Sequence, residues 1–246
     1  MKKLFIVLLV LILLLSAAAC GKQKPADRTK TVETSADTPV DGGWGEAQSI
    51  AVSGEVSAMF DKLNETLAGA YYVPVVYLSS QVVAGTNHKV LCKLLPSTGG
   101  KDAVGEYVIV TVYEDPQRKA EITEVLYSGA AAPQPYDPDH PSGGGWSEPK
   151  SFEPTEEAKT AVKKANEKAG SNRYDPVALL GEQVVAGMNY RMLCRQNPAE
   201  ASPSEYVILT VYADLQGNAE ITDIAGFGAE EPRAPAGEGS ASSQAE

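Results

Sequence analysis

Near neutral pH, nucleophilic, basic or soft metal-binding chemistry in this 246-residue chain falls mainly to Cys92, Cys194, His88 and His140. His88, Val90 and Cys92 alternate onto one face of a strand-like stretch, and Tyr190, Met192 and Cys194 do the same further on. Four strand positions separate His88 from Cys92, about 13 Å, which is too far for a thiolate–imidazole dyad along one strand. His140 sits in a Pro-rich stretch and has no counterpart near the second Cys. The 32 acidic residues lie mostly where helix faces, loops and a polar leader segment are expected, so solvated surface accounts for them. No metal-ligand spacing, Ser-His-Asp set or glycine-rich phosphate loop is legible. The reading is a non-enzyme without metal or cofactor, in which Cys92 and Cys194 are buried free thiols, one per core. A disulfide between them would require the two core faces to meet.

The two Cys are 102 residues apart, and so are Trp44 and Trp146 and two copies of Gln-Val-Val-Ala-Gly, at 81–85 and 183–187. A common offset across three features marks an internal repeat. Each pentapeptide falls between two β-like stretches, so it reads as a hairpin tip. Two consecutive Val residues are unusual there, because turn positions favour Gly, Asn and Asp. Two explanations stand side by side. Val82–Val83 and Val184–Val185 are exposed and await a partner, or they lie within the strand and only Ala84–Gly85 and Ala186–Gly187 turn the chain. Trp44 and Trp146 likewise read either as binding anchors or as core residues pinning the first strand to a helix.

The elements that position these tips repeat as well. Ser53 is a helix N-cap, followed by Val56, Met59, Phe60, Leu63 and Leu67 on one stripe. Thr155 is its equivalent, followed by Ala158, Ala161, Val162, Ala165 and Ala169, and Gly69 and Gly170 close the helices. Strands are expected at 72–80, 87–94, 106–113 and 121–126, and again at 174–182, 189–196, 205–212 and 220–224, with an edge strand within 44–51. Short connections favour antiparallel meanders. The expected fold class is α+β, with one helix packed on a four- to five-stranded antiparallel sheet in each of two tandem domains.

The order helix, strand, Gln-Val-Val-Ala-Gly, then Thr86-Asn87-His88 or Met188-Asn189-Tyr190 entering a strand, resembles the cystatins and stefins, and the resemblance covers both repeats. It implies two cystatin-like domains whose partner is a papain-like cysteine protease, inhibited reversibly by a three-part wedge in its cleft. The implied protease-binding residues are Gly42 and Gly43, then Gln81, Val82, Val83, Ala84 and Gly85, with Gly144, Gly145, Gln183, Val184, Val185, Ala186 and Gly187 in the second copy. The third part of the family's wedge is an apolar second hairpin. Here those tips are Asp115-Pro116 and Asp214-Leu215, and Asp at such a tip costs desolvation on entering a cleft. The alternative is a non-inhibitory binding or structural module at the cell surface.

The chain opens with Met1-Lys2-Lys3, an apolar run from Leu4 to Leu15, and then Ser16-Ala17-Ala18-Ala19-Cys20. That is a signal-peptide pattern, too short for an ordinary membrane span. Small residues before Cys20 resemble a bacterial lipobox, with Ala17 where Leu is usual. Cleavage and lipidation at Cys20 would tether the protein to the outer face of a membrane in the cell envelope. Loss of residues 1–19 removes two Lys and no acid, so the net charge of −11 becomes −13. Such acidity disfavours nucleic acid and electrostatic adhesion to anionic lipid. The expected organisation is a signal peptide at 1–19, a disordered stalk at 20–41, domains at 42–129 and 143–228, a Pro-rich linker at 130–142 and a disordered tail at 229–246.

Overall fold

The structure is a computed structural model that describes residues 42–96, 105–133, 144–197 and 205–229. Cys20 with the signal and stalk segments, linker residues 134–142, residue 143 at the start of the expected second domain, and the tail from 230 onward lie outside the described residues.

Helix α1 (Gly54–Thr66) starts where the Ser53 hydroxyl accepts the Val56 amide hydrogen at 3.3 Å, and α2 (Glu156–Asn166) where Thr155 accepts from Ala158 at 3.2 Å. Val56, Met59, Phe60 and Leu63 are buried along α1, and Ala158, Ala161, Val162 and Ala165 along α2. Leu67 departs from the expected stripe. It is the C-cap, already in extended conformation, and its side chain is exposed. Both helices are fastened at their C-terminal ends by one amide side chain. Asn64 Nδ2 donates to the Tyr72 carbonyl (2.8 Å) and its Oδ1 accepts from the Tyr72 amide (2.9 Å); Asn166 and Tyr174 repeat the pair at 2.9 and 3.0 Å. Replacing Asn64 or Asn166 by Ala strands both backbone groups, and each change is expected to lower stability by about 1–3 kcal/mol. Urea unfolding measures this; a loss below about 0.5 kcal/mol, the range of a neutral surface change, would contradict the role.

The first repeat forms a five-stranded antiparallel sheet in the order β1 (Trp44–Glu46), β2 (Ala70–Val83), β3 (Gly85–Pro96), β4 (Glu106–Glu114), β5 (Ala120–Ala131). The second forms a four-stranded sheet of β6 (Arg173–Val185), β7 (Gly187–Asn197), β8 (Tyr206–Asp214) and β9 (Ala219–Gly226). Its counterpart of β1 shrinks to a single bridge, Ser147 with Glu182. Pro74 and Pro176 sit next to register shifts at matching places in β2 and β6, where a missing amide hydrogen is tolerated.

The α+β class expected from sequence is overturned. Strand makes up 55% and helix 15% of the structure, with two sheets and only two helices among the described residues, so the protein is mostly antiparallel β. Part of the reason is strand length. β2 and β3 run 14 and 12 residues, where the pattern predicts 72–80 and 87–94, and β5 continues to Ala131, into the stretch read as linker. The larger reason is that both faces of each sheet are buried. On the first sheet Val90, Cys92, Val108, Val110 and Val112 face α1, and on the second Met192, Cys194, Val207, Leu209 and Val211 face α2. The alternate residues meet in a shared core. Val76, Leu78, Leu91, Tyr107, Ile109 and Leu126 pack with Ala178, Leu180, Leu193, Tyr206, Ile208 and Phe227. The two repeats belong to one compact unit, packed sheet on sheet with a helix outside each.

Polar contacts across this interface are reciprocal. Lys93 pairs with Glu148 at 2.6 Å, and Arg195 pairs with Glu46; Lys93 and Arg195 occupy equivalent positions, as do Glu46 and Glu148. One patch contacting its own equivalent is the signature of a two-fold relation, here within a single chain. The Tyr107 hydroxyl donates to the Leu180 carbonyl (3.0 Å), and Arg191 donates to the Ala131 carbonyl (2.6 Å). Tyr127 and Gly228 exchange amide–carbonyl bonds of 2.7 and 3.0 Å where β5 meets the end of the second sheet.

Candidate functional site

Strand β2 reverses into β3 through one residue, Ala84, with Val83 paired to Gly85; Ala186 does the same between β6 and β7. Each pentapeptide position then has its own task. Gln81 Nε2 donates to the Gly42 carbonyl (2.8 Å) while its Oε1 accepts from Asn87 Nδ2 (2.8 Å). Gln183 binds Gly144 and Asn189 in the same way, at 2.6 and 2.7 Å. The Gln side chain therefore straps the N-terminal Gly segment to the hairpin. The Ala84 carbonyl accepts the Tyr113 hydroxyl (3.0 Å), and Ala186 accepts that of Tyr212 (2.8 Å). Gly85 lies against β4. A Cβ there would stand 2.5 Å from the Glu114 carbonyl oxygen and 2.7 Å from the Tyr113 ring. Gly187 adds a φ of +141° to the same crowding, from the Ala213 carbonyl.

Gln, Ala and Gly thus build the turn, and the two Val residues are left over. Val82 and Val83 are 51% and 42% exposed, Val184 and Val185 68% and 42%. They occupy the last two positions of β2 and β6, so they are strand residues and exposed at once. None belongs to the clusters under the helices or between the sheets.

The pairing of Thr86 with Glu114 brings the β4–β5 turn beside the first tip, and Gly187 with Asp214 does the same for β8–β9. The Asp residues at these turns are hydrogen-bonded within them. Asp115 Oδ1 accepts from the Gln117 and Lys119 amides (2.8 and 2.9 Å), and Asp214 accepts from the Asn218 amide and side chain (2.7 and 2.8 Å). Those bonds, the Asn218 side chain foremost, hold the Asp214 carboxyl below its ordinary range. The flanking residue is what faces outward. In the second repeat that is Leu215, 80% exposed. In the first it is Pro116, with Arg118 two residues on reaching Glu114 at 3.3 Å and Glu55 at 3.7 Å. The second repeat's edge accordingly presents a large apolar side chain, Leu215, at its second hairpin, where the first has the smaller Pro116 near the charged Arg118.

Trp44 and Trp146 do not join the apolar clusters. Trp44, on the edge strand and 43% exposed, lies under Lys89 Nζ at 4.4 Å, and Trp146 under the Arg191 guanidinium at 4.3 Å. Cys92 and Cys194 are free and buried, each facing its own helix, and burial pushes both thiols up, away from the thiolate. His88 Nδ1 is 2.8 Å from the Tyr77 hydroxyl and its Nε2 is 3.8 Å from Glu114. Burial lowers its pKa from the ordinary imidazole range, with Glu114 opposing the shift.

Gly42, the first-hairpin tip and the β4–β5 turn gather at one end of the first sheet, and Gly144, its tip and the β8–β9 turn at one end of the second. The hydrogen-bonding roles of Asn87, Asn189, Tyr113 and Tyr212 at the tips are not legible from the sequence. All four recur between repeats, the Tyr pair at a spacing of 99 because the second copy is three residues shorter before β8. Comparison with protein-family models and with curated proteins finds no match for this chain.

Proposed function

We propose that each end of the molecule is a docking edge that occludes the substrate cleft of a papain-like cysteine protease, as the resemblance of its pentapeptides to the cystatin hairpin implies. The observation that carries the reading is the exposure of Val82–Val83 and Val184–Val185 at tips that Gln81 and Gln183 strap to Gly42 and Gly144. Exposed apolar side chains at a hydrogen-bonded hairpin tip gain by burial in an apolar cleft, at roughly 25 cal/mol per Å². The strapped geometry lowers the ordering cost of binding. The edge offers the protease a hairpin whose backbone is already committed to strand pairing, so it fills the cleft without serving as substrate. Lipid on Cys20 would hold this inhibitor at the outer face of a membrane.

The test is inhibition of papain by the lipid-free chain from residue 21 onward. Reversible inhibition competitive with a peptide substrate, with the chain recovered uncleaved, is the expected outcome. No inhibition at micromolar concentration would remove the reading.

A further inference from the structure

The reciprocal contacts fix where the two edges point. In the first sheet, Lys93 lies nine residues from the tip at Ala84, near the far end of β3, and it pairs with Glu148, next to the Ser147–Glu182 bridge close to the second tip. Exchanging the repeats, Glu46 lies beside Ser79 near the first tip and pairs with Arg195, nine residues from Ala186. Arg191, in the tip half of β7, donates to the carbonyl of Ala131, the last residue of β5 at the far end of the first sheet. Tyr107, opposite Lys93, donates to Leu180 in the tip half of β6. These four contacts set the base of one sheet against the tip half of the other, and the Tyr127–Gly228 pair joins the two sheets where their base halves overlap.

From this geometry we infer that the chain is a bivalent bridge: it holds two protease molecules at once, one at each end of the sandwich, facing away from each other. The inference rests on the docking reading above and adds its valency and direction. With strands rising about 3.3 Å per residue, both ion pairs place the two tips about 45 Å apart along the strand direction. A globular partner of about 200 residues has a radius of gyration near 17 Å, so two of them seated at opposite tips do not collide. The shared core also makes the arrangement rigid, because turning one edge toward the other would require exposing Leu91, Tyr107, Ile109, Leu193 and Ile208. The two edges therefore cannot grip neighbouring sites on one flat target; they join two separate molecules.

The two seats differ. Val184, Val185 and Leu215 give the second edge apolar side chains on two hairpins, whereas the first has Val82 and Val83 beside Pro116 and Arg118. The second edge fills first, and the first needs a higher protease concentration.

The experiment uses the lipid-free chain from residue 21 and papain whose catalytic thiol is carboxymethylated, read by native mass spectrometry and light scattering over a titration. The expected result is a complex of one chain with two papain molecules at saturation. Val83→Asp and Val185→Asp should each reduce it to one chain with one papain, the Val83→Asp variant keeping the tighter site. Circular dichroism confirms that each variant is folded. Saturation at one papain by a chain that inhibits overturns the inference and leaves the docking reading standing, and so does total loss of binding from either single change. Absence of both inhibition and complex overturns the docking reading and the inference with it.

Discussion

Ile109→Ala, a change in the first repeat, is expected to destabilise the second repeat as much as the first. Ile109 is fully buried between the sheets, against residues contributed by both copies. Truncation there removes buried methyl groups and leaves a cavity, costing about 2–5 kcal/mol. Ile109→Asp places an unpaired carboxylate in the same core and is expected to prevent folding of the whole unit. The single Trp of each repeat provides the readout. Urea unfolding followed by fluorescence, in Trp44→Phe and Trp146→Phe backgrounds, reports the two copies separately. Under a shared core both midpoints fall together in Ile109→Ala. A Trp146 midpoint that stays in place while the Trp44 midpoint falls would show two independent cores.

The shared core also marks where the sequence was readable and where it was not. Helix caps and stripes were legible because a period near 3.6 and an N-terminal Ser or Thr are local signals; Ser53, Thr155 and eight buried helix residues follow from them. The second buried face was written in the strands as well. Residues 107–112 read Tyr-Val-Ile-Val-Thr-Val and 206–211 read Tyr-Val-Ile-Leu-Thr-Val, nearly continuous apolar runs rather than an alternation. An α+β reading allows each sheet only one covered face and leaves Tyr107, Ile109, Tyr206 and Ile208 unexplained. What covers them is a contact between segments about a hundred residues apart, which no local period encodes. The candidate site divides similarly. The pentapeptides and Gly segments were visible as repeats, but the strap from Gln81 to Gly42 and the Tyr113 bond to Ala84 depend on tertiary placement. The Asp at each second hairpin read as a cost to docking, and its carboxylate proves to be engaged within its own turn.

The Val83→Asp, Val185→Asp double variant is expected to weaken papain inhibition by at least about a hundredfold while leaving stability within about 0.5 kcal/mol. The first figure follows from forcing a carboxylate into an apolar cleft, which costs several kcal/mol where each 1.4 kcal/mol is a factor of ten. The second follows from exposure: both Val residues lie outside every buried cluster, so the free protein tolerates the charge. The opposite signature is expected of Gly85→Ala, which drives a Cβ into the Glu114 backbone and lowers stability first. Inhibition unchanged in the double variant, with the fold intact, would show that the hairpin tips are not the docking edge.

Whether these tips enter a protease cleft is tested most directly by blocking the cleft beforehand. Papain whose substrate groove is filled by a covalently attached peptidyl inhibitor, and papain carrying only a small carboxymethyl group on the same thiol, are presented in parallel to the lipid-free chain, and the dissociation constants are measured. Binding to the carboxymethylated enzyme and loss of binding to the filled one is the result predicted here. Equal affinity for both forms would contradict it, because the contact would then lie away from the cleft.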